Sequence, residues 1–412
     1  MPSIRFLQLS DLHLDSSLQA SRLSLPQDRI RTRQAELRQI LPRACALVRE
    51  KRLDLVLLPG DLFDDEAVTQ DTVNFVIDNL GALAPVPVVI APGNHDFYSL
   101  GSPYNDELLL ARKQRPWPAN VHVFRDGTWS TMTPGGPDAP FQVTGLAHCV
   151  NAPLSERLLA LPIRRPRRDD EGLLDLLIFH GSRDNARIPG RKIRTLPFAD
   201  TELAGQGFDY AAIGHYHDQA TITDRDGRII GAYAGCPAGR GLDEEGEKCV
   251  LVGEIVKETG VTRVSLEKVR LDPRAVRRVD VNCTGATHRD AVLRRIEEAL
   301  AVVEPSAADL IHIRLIGRIA PGIDPGVPEG VFEDRFFHVS IDSSMVKPDY
   351  NLERYREERL KTTEARFARE MLSRIDAESD PTRRRLLENA LYYGLDALIQ
   401  KEVTPRYEDR MQ

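Results

Sequence analysis

LLPGDLFDDEAV, residues 57–68, runs from an apolar segment into four acidic residues within six positions. The apolar residues are typical of a buried strand, and Gly60 allows the backbone to turn tightly after it. Asp61 therefore stands at the carboxyl end of a strand, where open α/β sheets place their ligand sites. We expect Asp65 and Glu66 to begin the next helix in solvent, because acidic side chains favour the positive end of the helix dipole.

Short apolar segments alternate with helical periods from Ile4 to about Val256, which predicts an α/β domain. One predicted helix lies between the first two strands, and Pro42 inside it should kink or interrupt it. Two later segments, RIIGAYAG and KCVLVGEIV, are interpreted as antiparallel strands that complete a second sheet. The segments predicted as buried strands are IRFLQL (4–9), LDLVLL (53–58), VPVVIA (86–91), FQVTGLA (141–147), LLDLLIFH (173–180) and FDYAAIGH (208–215).

Polar side chains stand at the carboxyl ends of five of these strands. The pairs at 11 and 13 and at 215 and 217 have a spacing of two, which places both side chains on one side of an extended segment. The set of carboxylate, imidazole and amide groups suits Mn²⁺, Fe, Zn²⁺ or Mg²⁺ and not a Cys-type zinc site. It is too large for one tetrahedral ion, so the sequence predicts two divalent metal ions. The candidate ligands are Asp11, His13, Asp61, Asn94, His180, His215 and His217.

The composition is that of an ordinary folded protein. At 412 residues, 42% hydrophobic and 28% charged, the chain is long enough for two or three domains. A net charge of −7 does not predict a protein that binds nucleic acid through its overall charge. It says little about whether one groove on the surface is positively charged. Five scattered cysteines predict neither a disulfide framework nor a zinc ribbon. Because there is no apolar run of ~20 residues and no signal segment before the first strand, we expect a cytoplasmic protein without a membrane partner.

The motifs that carry the candidate ligands, in their order, resemble the calcineurin-like metallophosphoesterase superfamily between residues 4 and 256. Within it, the segments GDLFD, APGNHD, GFDYAAIGHYH and YAGCPAGRGLDEEGEK are similar to the SbcD type of DNA repair exonuclease. The resemblance implies an α/β fold: a two-sheet sandwich flanked by helices, with a small β-α-β capping domain and C-terminal helices. The motifs are D-x-H (11–13), G-D-x-x-D (60–64), G-N-H-D (93–96), His180 and G-H-x-H (214–217).

The resemblance also implies a role for each residue. His95 would donate a proton to the leaving oxygen, and Asp64 would orient His95 through a hydrogen bond. Imidazole suits this acid role because it titrates near neutral pH. A water activated by two metal ions, with Mn²⁺ the expected metal, would attack phosphorus in line. One ion would be held by Asp11, His13 and His217 and the other by Asn94, His180 and His215, with Asp61 bridging them.

The pattern changes twice in the later part of the chain, which predicts domains at residues 1–270, 271–345 and 346–412. The second reads as strand, helix and strand, and the third as charged helices, with Pro381 at the first position of the last one. These helices either pack on their own catalytic domain or offer an apolar stripe to a partner. The SbcD resemblance implies an SMC-like ATPase as that partner, and a homodimer.

Three residues are candidate substrate contacts. Arg183 and Arg191 lie in an arginine-rich segment after His180, where they would hold a nucleic-acid backbone or only line a solvated loop. Tyr98 would approach the substrate or pack in the core. The favoured function is that of a DNA repair exonuclease acting on DNA ends. Two alternatives stay open: a small-molecule phosphodiesterase or phosphatase on the same scaffold, and a catalytically silent subunit.

Overall fold

The computed structural model describes residues 2–16, 18, 25–64, 68–136, 138–150, 154–166, 172–184, 195–320, 323–328, 330–357, 359–401 and 403. The chain divides into two compact units, Met1–Ala275 and Val276–Gln412. The segments predicted as a small α/β domain and as C-terminal helices both fall in the second unit. The division into three domains stays a prediction.

The first unit alternates strands and helices, as its apolar segments predict. A short 3₁₀ helix covers Leu158–Ala160. The other elements are β1 (Ser3–Gln8), α1 (Gln27–Lys51), β2 (Leu55–Leu58), α2 (Gln70–Gly81), β3 (Val88–Ile90), α3 (Asp106–Ala111), β4 (Val121–Val123), β5 (Ser130–Met132), β6 (Phe141–Gly145), β7 (Leu174–His180), α4 (Asp200–Gly205), β8 (Tyr210–Gly214), β9 (Ala220–Thr223), β10 (Ile229–Tyr233), β11 (Val250–Glu258) and β12 (Val261–Val269).

Two sheets of six strands, counted over the described residues, form this unit. The first has the order β12-β11-β1-β2-β3-β4 and the second the order β5-β6-β7-β8-β10-β9. Strands β1 to β4 are parallel, as are β6, β7, β8 and β10, so the carboxyl ends of the central strands lie at one edge of each sheet. The predicted α/β fold with a two-sheet sandwich is confirmed.

Strand β2 shows why its sequence reads as continuous apolar residues. Leu55 and Leu57 pack in the core between the two sheets, where Leu176 of the second sheet also lies. Val56 and Leu58 point to the opposite face and pack in the core that contains α1 and α2. Because successive side chains of a strand alternate between its faces, a strand covered on both sides needs an apolar residue at every position.

Two expectations about this unit are wrong in part. Helix α1 continues through Pro42 without interruption, because the residues around it, including Leu41 and Ala44, are buried and offset one missing hydrogen bond. The alternative, a kink at Pro42, stays a prediction. Strand β11 joins the first sheet, antiparallel to β1. Strand β10 lies in the second sheet as predicted, where it pairs antiparallel with β9 and parallel with β8. The choice of sheet depends on pairing between residues far apart in the chain, which local periodicity does not contain.

A buried glutamine connects the two sheets next to the strand ends. Gln8 at the end of β1 donates from Nε2 to the carbonyl of Ala232 at 2.8 Å, and its Oε1 accepts from the hydroxyl of Tyr210 at 2.6 Å. Both partners belong to the second sheet. The carboxyl end of β1 is thereby fixed against that sheet by hydrogen bonds as well as by packing.

The second unit contains a three-stranded parallel sheet and a pair of helices packed on each other. The strand, helix and strand predicted from the sequence are present, and a third parallel strand, β15, adds to them. The last helix begins at Pro381, as predicted, after an Asp380 cap. No helix in the described part of the chain has the length and apolar character needed to cross a membrane. The elements are β13 (Val276–Asn282), α5 (Arg289–Val303), β14 (Leu310–Ile319), β15 (His338–Pro348), α6 (Leu352–Tyr355), α7 (Thr363–Ala377) and α8 (Pro381–Ile399).

Candidate metal centre

The candidate ligands follow β1, β2, β3 and β8 or close β7, and the loops that carry them adopt an unusual backbone. Left-handed conformations are rare for residues with a side chain and cost ~1–3 kcal/mol each, so they persist only where the surrounding structure holds them. Such residues cluster at functional sites. Four candidate ligands have positive φ angles: Asp11 (53°), His13 (44°), Asp61 (52°) and His215 (111°).

The loops approach one another too closely for side chains at two glycines. Gly60 has a φ of +86°, and a Cβ there would lie 2.6 Å from Nδ1 of His180. A Cβ on Gly93 would lie 2.3 Å from Oδ1 of Asp61. The predicted tight turn at Gly60 is confirmed, and the reason is now steric as well as conformational.

Asp61 lies at the middle of the site and is buried. Its Oδ2 is 3.6 Å from Nε2 of His13 and 3.3 Å from Nε2 of His180, while Oδ1 accepts the backbone N–H of His95 at 3.0 Å. Burial alone would raise the pKa of Asp61, but the charge of His180 and its hydrogen bond to Asp61 lower it well below its usual range. Ligand atoms of Asp61, His180 and Asp11 all lie within 4.8 Å of one another.

Asp11, His13 and His217 form a second group with ligand atoms within 4.8 Å. The carboxylate of Asp11 accepts the backbone N–H of His215 at 3.1 Å. Neither ring nitrogen of the buried His13 has a hydrogen-bond partner among the described residues. Burial, with the charge of Arg240, lowers the pKa of His13 to about 4, so the ring is neutral and its lone pair is available. A buried polar group without a partner is costly, and a metal ion would satisfy it.

His180 completes the other side of Asp61. Its Nδ1 lies 3.0 Å from the carbonyl of Pro59, and its Nε2 lies 3.1 Å from Oδ1 of Asn94. The ring of His215 stands edge-on to it, with centroids 5.2 Å apart. Burial lowers the pKa of His180, but the charge of Asp61 outweighs burial and raises it to about 9. In the metal-free protein a proton is therefore held where a cation would otherwise sit.

The two groups have Asp11 in common, and the carboxylate of Asp61 lies between His13 of one group and His180 of the other. Members of both groups line one cavity of about 260 Å³. Carboxylate, imidazole and amide donors without a thiolate among the predicted ligands fit divalent cations of intermediate hardness. A carboxylate between the two groups fits a pair of ions better than one. The residues that line the cavity are His13, Asp61, Asp64, Asn94, His95, His215, His217 and Arg240.

Residues 4–219, a span that contains every candidate ligand, match the family described as calcineurin-like phosphoesterase. The chain belongs to the calcineurin-like phosphoesterase family. This phosphoesterase is 23% identical over 340 residues to the "uncharacterized metallophosphoesterase YhaO" of Bacillus subtilis (strain 168), a match that covers 81% of this chain and 76% of the relative. The family consists of metal-dependent hydrolases, and the two ligand groups are the candidate sites for their divalent ions.

Solved structures similar to this phosphoesterase cover about two thirds of it. One is TT1561 of Thermus thermophilus, with a TM-score of 0.36 and 12% identity over 65% of this chain and 99% of that chain. Another is a dimetal phosphatase from Danio rerio, with a TM-score of 0.36 and 15% identity over 65% of this chain and 99% of that chain.

His95 and Asp64 of the phosphoesterase lie together beside the ligand groups. Nδ1 of His95 is 3.1 Å from Oδ1 of Asp64, and the His95 side chain is 49% exposed toward the cavity and solvent. The hydrogen bond to Asp64 raises the pKa of His95. The neighbouring rings of His13 and His95 in turn lower the pKa of Asp64. The pair holds a proton on the imidazole and a negative charge on the carboxylate.

Glu244 is a functional candidate that the sequence analysis does not identify. Its Oε1 lies 2.6 Å from Nδ1 of His217 and accepts from Nη2 of Arg240 at 3.0 Å. A carboxylate behind a histidine fixes which ring nitrogen faces a metal. The signal was present in LDEEGEK, residues 242–248, but several acids occur there and nothing local distinguishes one from another.

Asp96 is a second residue without a predicted role. Its carboxylate accepts the backbone N–H groups of Leu62 and Gly93, both at 2.7 Å, and that of Asp61 at 3.1 Å. The hydroxyl of Tyr104 donates to it at 2.6 Å. Asp96 thus joins the loop after β2 to the loop after β3. Its place directly after His95 in GNHD is the signal that would have indicated it.

His148 supports the site from the second sheet. It is fully buried, and its Nε2 lies 2.8 Å from the carbonyl oxygen of His180. The two rings stand edge to face with centroids 5.7 Å apart. This contact holds the end of β7 in place.

The predicted substrate contacts lie less close to the centre. The guanidinium of Arg183 pairs with Asp200, with Nε 2.6 Å from a carboxylate oxygen, and Arg183 is not among the residues that line the cavity. The backbone N–H of Tyr98 donates to the carbonyl of His148 at 2.7 Å, and its ring packs against both cores of the sandwich. A substrate-binding role for Arg183 and Tyr98 stays a prediction. Arg191, Asp65 and Glu66 lie outside the described residues.

Proposed function

We propose that this protein is a two-metal phosphodiesterase that hydrolyses DNA ends, similar to the SbcD type of exonuclease. The observation that carries the two-metal proposal is the position of Asp61, whose Oδ2 lies 3.6 Å from Nε2 of His13 and 3.3 Å from Nε2 of His180. One carboxylate oxygen between two histidines of different ligand groups suits a bridge between two ions. The choice of DNA is supported by the sequence motifs alone.

Divalent ions, with Mn²⁺ proposed, would neutralise charge on the phosphate and activate water as the nucleophile. The protein would hold the ions in a fixed geometry through neutral imidazoles and ionised carboxylates. The low pKa of His13 and the depressed pKa of Asp61 provide those ionisation states at neutral pH, whereas His180, with a pKa of about 9, would lose its proton when an ion binds. The proposed ligands are Asp11, His13 and His217 for one ion and Asn94, His180 and His215 for the other, with Asp61 shared.

His95 would act as the general acid. Asp64 holds Nδ1 of His95 at 3.1 Å, which leaves Nε2 directed away from Asp64 to donate a proton to the leaving oxygen. The raised pKa of His95 keeps that proton in place near neutral pH. His95 lines the cavity without belonging to the proposed ligand set, so proton donation and metal binding are separable functions.

The size of the cavity defines how much of a substrate can enter. At about 260 Å³ it is smaller than the ~300–1,000 Å³ that drug-sized ligands occupy, so it accepts a phosphate ester and little more. The end of a DNA strand fits this description because only one phosphodiester needs to enter. A small phosphodiester or phosphomonoester fits it too, and the same ligands would hydrolyse it. A small-molecule phosphodiesterase or phosphatase is therefore the second candidate.

A matrix of metals and substrates separates these candidates. The purified protein would be loaded with Mn²⁺, Fe²⁺, Zn²⁺ or Mg²⁺ and given labelled linear DNA, hairpin DNA, bis(p-nitrophenyl) phosphate and p-nitrophenyl phosphate. We expect Mn²⁺-dependent release of nucleotides from DNA ends. Efficient hydrolysis of the small esters with intact DNA would replace the first proposal by the second. A lack of hydrolysis with all four metals would favour a catalytically silent subunit.

The SbcD resemblance extends the proposal to partners. Helix α8 exposes three large apolar side chains, Leu386 (61%), Leu398 (41%) and Ile399 (39%), which supports a helical partner such as the coiled coil of an SMC-like ATPase. A homodimer belongs to the same proposal. Light scattering after size exclusion would measure the mass of the free chain, and a monomeric mass at micromolar concentration would exclude a stable homodimer.

A further inference from the structure

Arg240 places a guanidinium in the wall of the metal cavity. The residue lines the cavity with His13 and His217, and its side chain is only 13% exposed. Nη2 donates to Glu244 at 3.0 Å and lies 3.2 Å from Nδ1 of His217. Nη1 has no hydrogen-bond partner among the described residues, and the same holds for the buried Nε. Three of the five N–H donors of this guanidinium are therefore without a partner among the described residues.

The loop that carries Arg240 is fixed by a buried ion pair. Arg33 of helix α1, 1% exposed, donates to the carbonyl of Gly239 at 2.6 Å and to Asp272 at 2.6 Å. Asp272 also accepts the backbone N–H of Gly239 at 3.1 Å. Both backbone groups of the residue before Arg240 are thereby held by buried charges. Because the backbone before Arg240 is fixed, its guanidinium loses little conformational entropy when it binds a ligand.

A purely structural role does not explain the positive charge of Arg240 at the cavity wall. A positive group beside a cation site repels the cation, and Arg240 lines the same cavity as His13 and His217. Holding Glu244 against His217 would not need a second, unpartnered nitrogen at the cavity wall. An anion in the cavity would use that nitrogen and would offset the repulsion. Guanidinium is the side chain whose geometry matches phosphate oxygens best.

We propose that Arg240 binds a non-bridging oxygen of the phosphate group in the metal cavity and so acts as a substrate-binding residue of the reaction. The inference rests on the proposed function, because it takes the substrate to be a phosphate ester. In this proposal the phosphate is bound by a side chain of the protein in addition to the metal ions. It also explains why one short loop supplies both a cation and the carboxylate that orients His217.

The test uses inorganic phosphate as the probe and the full-length protein loaded with Mn²⁺. Isothermal titration calorimetry would measure phosphate binding, and mass spectrometry would measure bound metal, for the wild type, Arg240→Gln and Arg240→Lys. Arg228→Gln is the matched control, because Arg228 is 56% exposed and lies outside the cavity. We expect Arg240→Gln to keep the wild-type metal content and to bind phosphate about tenfold to a hundredfold more weakly. Arg240→Lys should lose less, and the control should lose nothing.

Wild-type phosphate affinity in Arg240→Gln would overturn the inference. Loss of metal in parallel with phosphate binding, in both Arg240→Gln and Arg240→Lys, would overturn it as well, since Arg240 would then act only through Glu244. Failure of the proposed function looks different: the metal-loaded wild type would itself bind no phosphate and hydrolyse no phosphate ester. A wild type that binds phosphate and hydrolyses esters, beside an unaffected Arg240→Gln, rejects the role of Arg240 alone.

Discussion

Oε1 of Glu244 lies 2.6 Å from Nδ1 of His217, and Nε2 of the same ring lies 3.9 Å from Oδ1 of Asp11. Glu244 therefore contacts the Nδ1 side of the imidazole, and the Nε2 side faces Asp11, the other proposed ligand of the same ion. This order fixes the tautomer of His217 and makes its Nε2 a better donor. The metal affinity of the protein should therefore depend on Glu244, although Glu244 binds His217 and not the metal.

Glu244→Gln should weaken metal binding by about tenfold to a hundredfold, because the neutral amide orients His217 less strongly and leaves its ring less basic. Titration of Mn²⁺ into metal-free protein by calorimetry would measure the change. Glu247→Gln is the control, since Glu247 is 53% exposed and pairs with Arg270. Equal affinities for Glu244→Gln and the wild type would remove Glu244 from the metal centre.

His95→Asn should retain bound metal and lose most turnover. General acid catalysis contributes roughly 10² to 10⁴ in rate, and asparagine cannot donate the proton. Asp61→Asn is the informative comparison, because it should impair metal content and turnover together. Metal analysis and steady-state rates on the best substrate would be measured for both variants. Unchanged hydrolysis by His95→Asn would show that another group protonates the leaving oxygen.

The metal-free protein should lose thermal stability as the pH rises from about 6.5 to about 9. The folded pKa of His180 is raised from 6.5 to about 9, mainly by Asp61 acting against burial, so its contribution is complete below 6.5 and is lost as pH rises through 9. Asp61, with a lowered pKa, contributes fully above its ordinary value of 3.8 and loses that contribution only in acid. Scanning calorimetry after chelation would follow the midpoint. A flat profile between pH 6.5 and 9 would contradict the Asp61–His180 pairing.

Asp272→Asn should destabilise the first unit by up to ~3–5 kcal/mol, because it removes the nearer of the two carboxylates paired with the buried Arg33 guanidinium and leaves only Glu36 at 3.3 Å. The exposed pair of Arg115 and Asp78 is the control, and Asp78→Asn should cost less than ~1 kcal/mol. Urea unfolding followed by circular dichroism would compare both with the wild type. Similar losses in the two variants would mean that burial of Arg33 is compensated elsewhere.

The strands near the site and the convergence of the candidate ligands at their ends were predictable, because both follow from local properties of the sequence. Apolar segments buried on two faces mark the strands, and residues at their carboxyl ends meet by geometry. Glu244 and Asp96 were not predictable, because their roles come from contacts with loops far along the chain. The position of β11 in the first sheet has the same cause. Strand β15 mixes serine and aspartate with apolar residues at a half-exposed sheet edge, and its period is correspondingly weak.

The loops of the metal centre bear a standing conformational cost that the apolar cores of the sandwich do not. Asp11, His13, Asp61 and His215 all hold left-handed backbone that glycine or asparagine would adopt more easily. Replacing His13, whose ring makes no hydrogen bond among the described residues, would relieve this strain, whereas replacing Asp61 would also remove its pairing with His180. Protein engineering faces the same trade-off between relief of backbone strain and retention of the candidate metal site. A thermostable scaffold is therefore best sought by replacing the strained candidate ligand His13 while the paired Asp61 is kept.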